Sequence, residues 1–153
     1  MPKSLTYTPA DAALRFSLYH FIVANGRIPK LREFASTLNR PEKLIRTGLQ
    51  RLALLHIIVL QPDSTEILRA APFWAVPTNF PVRSEDRSWW ASCIWDALAI
   101  PVMLRRNVVI TSSCACCDSA MELRVRDGRL ARAPSIMHFA VPAAHWYEDI
   151  VFT

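Results

Sequence analysis

The sequence predicts an α+β protein: an N-terminal winged-helix-like three-helix domain, then a mostly antiparallel α+β core. Three observations predict it. Apolar residues recur at helical spacing from Ala12 to Leu52. Short alternating segments separated by turn residues dominate from Val108 onward. Between the two lies a proline-rich passage holding Pro72, Pro77 and Pro81. The expected division is residues 1–70 for the helical domain, 71–84 for the joining segment and 85–153 for the core.

Thr8, Pro9 and Asp11 form a helix start, with a cap, a first-turn proline and an early acid. Ala12, Ala13, Phe16, Tyr19 and Val23 follow as an inward stripe, and Asn25-Gly26 ends the helix. A second helix is expected from Lys30 to Leu38, with Leu31, Phe34, Ala35 and Leu38 inward. Asn39 is expected to cap a third, with Pro41 near its start and Leu44, Ile45, Gly48, Leu49 and Leu52 on one face. Ile57–Leu60 and Glu66–Leu68 read as strands joined by the turn Pro62-Asp63-Ser64. Three helices and a hairpin make a winged-helix pattern, whose third helix would present Lys43, Arg46 and Arg51 outward. Such units bind DNA, and they also serve as packing and dimerisation modules.

Phe73, Trp74 and Phe80 make the proline-rich passage too apolar for a free linker, so it is expected to run extended and dock on the core. Ser88 would start a helix over Trp89–Leu98, with Pro101 just beyond and a further turn reaching Leu104. Val108–Ser112 and Met121–Val125 read as strands, and Asp127-Gly128 as a hairpin turn into Arg129–Ala133. Ile136–Val141 is expected to be a further strand, Ala143–Tyr147 a short helix or turn, and Ile150–Phe152 the start of one more strand.

Of the 153 residues, 52% are hydrophobic and 20% charged, which excludes a disordered chain. No apolar run approaches the roughly 20 residues that span a bilayer, and Met1–Thr8 lacks a signal-peptide core. A cytoplasmic location is expected. Charge is uneven: residues 1–84 hold 11 Lys/Arg against 5 Asp/Glu, and residues 85–153 hold 7 against 8. The basic half is either a solvated face or a contact for nucleic acid.

The candidate chemistry lies in Cys93-Ile94-Trp95-Asp96, just after Trp89 and Trp90. On a helix, residues three apart share a face, so a soft nucleophile and a proton donor would sit together between indole rings. The same residues also fit a buried cysteine beside a surface aspartate. Three of the four cysteines crowd into Cys114-Ala115-Cys116-Cys117, which is not a secreted disulfide framework. Its Cys-x-x-Cys spacing suits half of a zinc site, a structural hairpin turn, or a relay of adjacent thiols. His138 and His145 are available as further ligands, but their spacing does not recommend them. His20 and His56 read as core or edge histidines, and Arg105-Arg106 as a basic helix end.

The run from Trp89 through Cys93 and Asp96 to Pro101 resembles the active-site helix of the alkylmercury lyases, also called organomercurial lyases. Ala71-Pro72-Phe73 and Val76-Pro77-Thr78 resemble that family's joining segment. Cys114–Val125 and His138-Phe139-Ala140-Val141-Pro142 through Phe152 resemble strands of its core. The resemblance implies protonolysis of a carbon–mercury bond, giving hydrocarbon and Hg²⁺. Cys93 would be the mercury-binding thiolate and Asp96 the proton donor or relay. Trp89, Trp90 and Trp95 would wall the substrate pocket. Mercury is then substrate and product, with no cofactor beyond external thiols, and the expected partners are an organomercurial, thiol carriers or a mercuric reductase. The family's second catalytic cysteine aligns immediately after Thr153. Asp149–Thr153 reads as a strand cut midway, so the expectation is a premature stop, specifically a UGA codon meant for selenocysteine, with impaired activity. The alternative function is a non-enzymatic thiol-based mercury or metal-binding protein, or a winged-helix DNA-binding regulator that senses through Cys93 and the Cys114–Cys117 cluster.

Overall fold

The computed structural model describes residues 5–131, 136–137, 139 and 141–149. Three helices come first: α1 (Pro9–Asn25), α2 (Leu31–Thr37) and α3 (Glu42–Leu54). A capping box starts α1: Asp11 N donates to Thr8 Oγ1 at 3.2 Å, and Thr8 N donates to Asp11 Oδ2 at 2.9 Å. Asp11 is buried because Arg51 of α3 reaches across to it, Nε to Oδ1 at 3.0 Å and Nη2 to Oδ2 at 2.9 Å. Those bonds, with help from Thr8, hold the Asp11 carboxyl far below the usual carboxylate range.

This pairing explains a difference from the expected helix faces. The buried stripe of α1 is Leu18, Phe21 and Ile22, while Phe16 is 74% exposed and Ala13 also faces outward. Two apolar stripes compete on this helix. The one carrying Leu18, Phe21 and Ile22 has the greater apolar bulk, and it turns Asp11 toward Arg51. In α3, Ile45, Leu49 and Leu52 are buried as expected, but Leu44 is 56% exposed. Asn39 does not cap α3: it takes a left-handed φ of 48° just after α2, and Pro41 precedes the first turn of α3. Of the three basic residues expected outward, Arg51 is paired with Asp11, and Arg46 bonds Glu42 and Thr65.

Eight short strands follow among the described residues: β1 (Val59–Leu60), β2 (Ile67–Ala70), β3 (Phe73–Trp74), β4 (Pro81–Arg83), β5 (Ser88–Trp90), β6 (Val108–Ser113), β7 (Ala120–Arg126) and β8 (Arg129–Leu130). They form one antiparallel sheet in the order β1-β2-β3-β5-β4-β6-β7-β8. The proline-rich passage thus supplies two strands, with Pro81 at the first position of β4, where a missing N–H is tolerated. Helix α4 (Ile94–Leu104) connects β5 to β6, and a 3₁₀ helix spans Ala143–Glu148.

Register sorts the side chains by face. Arg69, Trp74, Trp90 and Pro81 pair in one row across four strands. Val82 pairs with Trp89 and Ile110 in the other parity, where burial is nearly complete. One continuous core joins Leu18, Phe34 and Leu49 of the helices to Phe73, Trp89, Ile100, Ile110 and Val125. Trp89 Nε1 donates to Ile22 O at 3.3 Å, and Tyr19 Oη donates to Ala71 O at 2.7 Å, tying α1 to the sheet. Glu66 Oε2 accepts from Leu31 N at 3.0 Å, so the start of α2 is capped by the approach to β2.

The helix expected over Trp89–Leu98 is corrected: Ser88–Trp90 is a strand, and the helix begins after Cys93 and runs through Pro101 to Leu104. Adjacent bulky indoles suit a pleated strand, where one faces each side. Ile136, Met137, Phe139 and Val141 are not in a strand, and residues 138 and 140 of that expected strand lie outside the described residues. Residues 132–133 of the expected hairpin and the strand expected at Ile150–Phe152 also lie outside them. Among the described residues, no helix is long and apolar enough to cross a membrane.

Candidate active site

Cys93 and Asp96 meet through the start of α4, by a different route from two residues sharing a helix face. Cys93 is the N-cap, with extended backbone (φ −148°, ψ 176°), and its Sγ accepts from Asp96 N at 3.5 Å. Asp96 is the third residue of the helix. Sulfur and carboxylate therefore both lie at the positive end of the helix, where negative charge is favoured. Cys93 is half-buried, whereas Asp96 is only 5% exposed.

A buried carboxylate needs partners. Asp96 has two on one oxygen: Ser92 Oγ donates to Oδ2 at 2.6 Å, and Arg69 Nη2 donates to the same atom at 3.1 Å. Ser92 precedes the helix and Arg69 comes from β2, 27 residues upstream of Asp96. Arg69 Nε is buried and has no hydrogen-bond partner among the described residues. The sequence reading missed Arg69 and Ser92. The apolar face requirement on a four-residue strand could have singled out an arginine there, but its target could not be read from spacing.

The three tryptophans are placed apart. Trp89 lies in the core, tilted on Phe73 with ring centroids 6.4 Å apart. Trp90 is half-buried on the opposite face, in register with Trp74. Trp95 is 54% exposed at the start of α4 and packs edge-on to Phe139 at 6.1 Å, which in turn packs on Trp146 at 5.3 Å. Phe139 and Trp146 were not among the expected site residues. Their position beside Trp95 depends on the return of the chain after β8.

Cys114–Cys117 forms the turn between β6 and β7. Cys114 N donates to Ser119 O at 2.9 Å, and Asp118 N donates to Cys114 O at 2.8 Å. Cys117 Sγ lies 3.2 Å from Ser119 Oγ. The Cys117 thiol is shifted down, chiefly by the Ser119 hydroxyl, then by its backbone amide and by the Cys114 thiol. No group of three or more His, Cys, Asp or Glu side chains converges as a metal site among the described residues. His138, one of the histidines weighed as a zinc ligand, lies outside them. His145 instead bonds Glu148, Nδ1 to Oε1 at 2.6 Å.

Comparison with known proteins adds three findings. A family model described as alkylmercury lyase matches residues 73–152, which include Cys93 and Asp96. No curated protein matches the chain. A solved structure described as the mercury-bound form of MerB2 is similar at 22% identity, with a TM-score of 0.65, over 83% of this chain and 61% of that one. That likeness is one of fold, and the chain spans less than two thirds of the length of that structure.

Proposed function

Because the chain belongs to the alkylmercury lyase family, we propose that it is an organomercurial lyase in which Cys93 and Asp96 do the chemistry. The observation that carries this reading is the shared helix start, which joins a thiol to a buried carboxylate held by Ser92 and Arg69. In this reading the Asp96 carboxylate, bonded by Arg69 and Ser92, acts first as a base. It takes the proton of Cys93 as the sulfur bonds the mercury of R–Hg⁺, leaving R–Hg–S–Cys93 and a neutral carboxylic acid. That acid then protonates carbon. The C–Hg electron pair becomes the C–H bond, R–H leaves, and Hg²⁺ stays on the Cys93 thiolate beside a restored carboxylate. External thiols remove the ion, delivering it to thiol carriers or a mercuric reductase.

Trp90 and Trp95 flank the substrate in this reading, and Trp89 braces the strand behind them. The N-terminal unit, residues 1–70, is read as winged-helix-like and as a packing module. Two of its three candidate DNA-reading residues, Arg46 and Arg51, are engaged within the protein, which disfavours the regulator alternative. The test is release of benzene from phenylmercury. Wild type should release it, and Cys93→Ser and Asp96→Asn should each lose it by about a hundredfold or more, the usual contribution of a general acid–base group. Undiminished release from either variant would remove that residue from the mechanism.

A further inference from the structure

The turn between β6 and β7 carries thiols that the proposed chemistry at Cys93 does not use. It is a tight closure: Cys114 uses both its N–H and its C=O in bonds to Ser119 and Asp118. Asp118 adopts a left-handed φ of 54°, and its N–H bond to Cys114 O at 2.8 Å closes the turn around the two cysteines of the Cys-x-x-Cys segment. Cys114 is half-buried and Cys117 exposed, so an ion can reach both from solvent. Cys117 Sγ is further fixed by Ser119 Oγ at 3.2 Å.

The donor set limits the ligand. Zinc in a structural site requires four ligands, and no cluster of three or more metal-binding side chains forms among the described residues. Two thiolates suffice for a soft ion that accepts linear coordination. We propose that Cys114 and Cys117 form a second, surface dithiol site for a two-coordinate thiophilic cation, with Hg²⁺ as its representative. Binding forms two S–Hg bonds and releases the two thiol protons, with no change of oxidation state. The site goes beyond the lyase reading and does not depend on it, because it is read with inorganic Hg²⁺ and no organomercurial.

The test uses the full chain with Cys93→Ser as background, which leaves only the turn thiols. Hg²⁺ is titrated in the presence of a competing monothiol, following mercury–thiolate charge-transfer absorbance, proton release and oligomeric state. The expected result is one Hg²⁺ per monomer with two protons released. Adding Cys114→Ser or Cys117→Ser should weaken resistance to the competitor by at least about tenfold, since each removes the second thiolate of an intramolecular pair. Adding Cys116→Ser should leave it unchanged. Equal loss in all three variants, retention in the Cys114→Ser or Cys117→Ser variant, or mercury that links two copies of the chain would overturn the proposal. An exposed turn tolerates these substitutions, and an unchanged melting curve checks that each variant is folded.

Discussion

Asp96 receives both of its donors on one oxygen, from residues with separable roles. Ser92 contributes a short hydrogen bond of 2.6 Å and little charge. Arg69 contributes the charge that compensates a carboxylate whose side chain is 7% exposed. Ser92→Ala should therefore keep the fold and lower kcat for benzene release roughly tenfold, the worth of one charge-assisted bond. Arg69→Met should instead destabilise the protein by about 3 kcal/mol, because it leaves a buried charge uncompensated. Urea unfolding of both variants separates the cases, and a Ser92→Ala protein as unstable as Arg69→Met would refute the division. The Asp11–Arg51 pair has the same logic far from the site. The folded Asp11 carboxyl lies well below its unfolded value, so its contribution is complete above about pH 4. It declines as pH falls from there toward the folded value. The destabilisation by Asp11→Asn, measured in urea, should be large at pH 6 and shrink at pH 3. The same difference at both pH values would show that the pair does not act through charge.

At the scale of elements, the start of α4 decides the candidate site, and the sequence told part of it. The Cys93–Asp96 spacing was legible because three residues bring two side chains together both on a helix face and across an N-cap and third position. The boundary itself was not legible: Trp89 and Trp90 join a strand because Val82 and Pro81 wait in register beside them, a long-range fact. Arg69 was missed for the same reason. The caps of α1 were readable since they are local: Thr8 and Asp11 at one end, Gly26 at the other. Gly26 does more than end α1. Its φ is +72°, its N–H bonds Ile22 O at 2.8 Å, and a Cβ placed on it would stand 3.0 Å from Ser88 O, the first residue of β5. Gly26→Ala should cost about 1–2 kcal/mol from the left-handed conformation, and the close carbonyl adds to it. Thermal unfolding checks this, with Gly128→Ala as a control of similar φ (+73°) and open surroundings. A larger loss at Gly26 than at Gly128 would measure the contact between α1 and β5.

Across the whole molecule, the helices and the sheet share one interior. Leu49 of α3, Phe73 of β3 and Ile110 of β6 are each at most 1% exposed and belong to one cluster, and β2 pairs directly with β3 across residues 70–73. This continuity matters for the site, since Arg69 comes from β2, in the hairpin that follows the helices, while Cys93 and Asp96 come from the start of the helix that follows β5. Loosening the helices should then loosen Asp96. Leu49→Ala removes a fully buried side chain and should cost about 2–5 kcal/mol. In a single cooperative unit that loss appears equally in far-UV dichroism, dominated by the helices, and in tryptophan fluorescence, whose five indoles all follow α1–α3 in the chain. The two midpoints should fall together by the same amount. Should the helical signal fall alone, with tryptophan fluorescence unmoved, the helices and the sheet would be separate folding units.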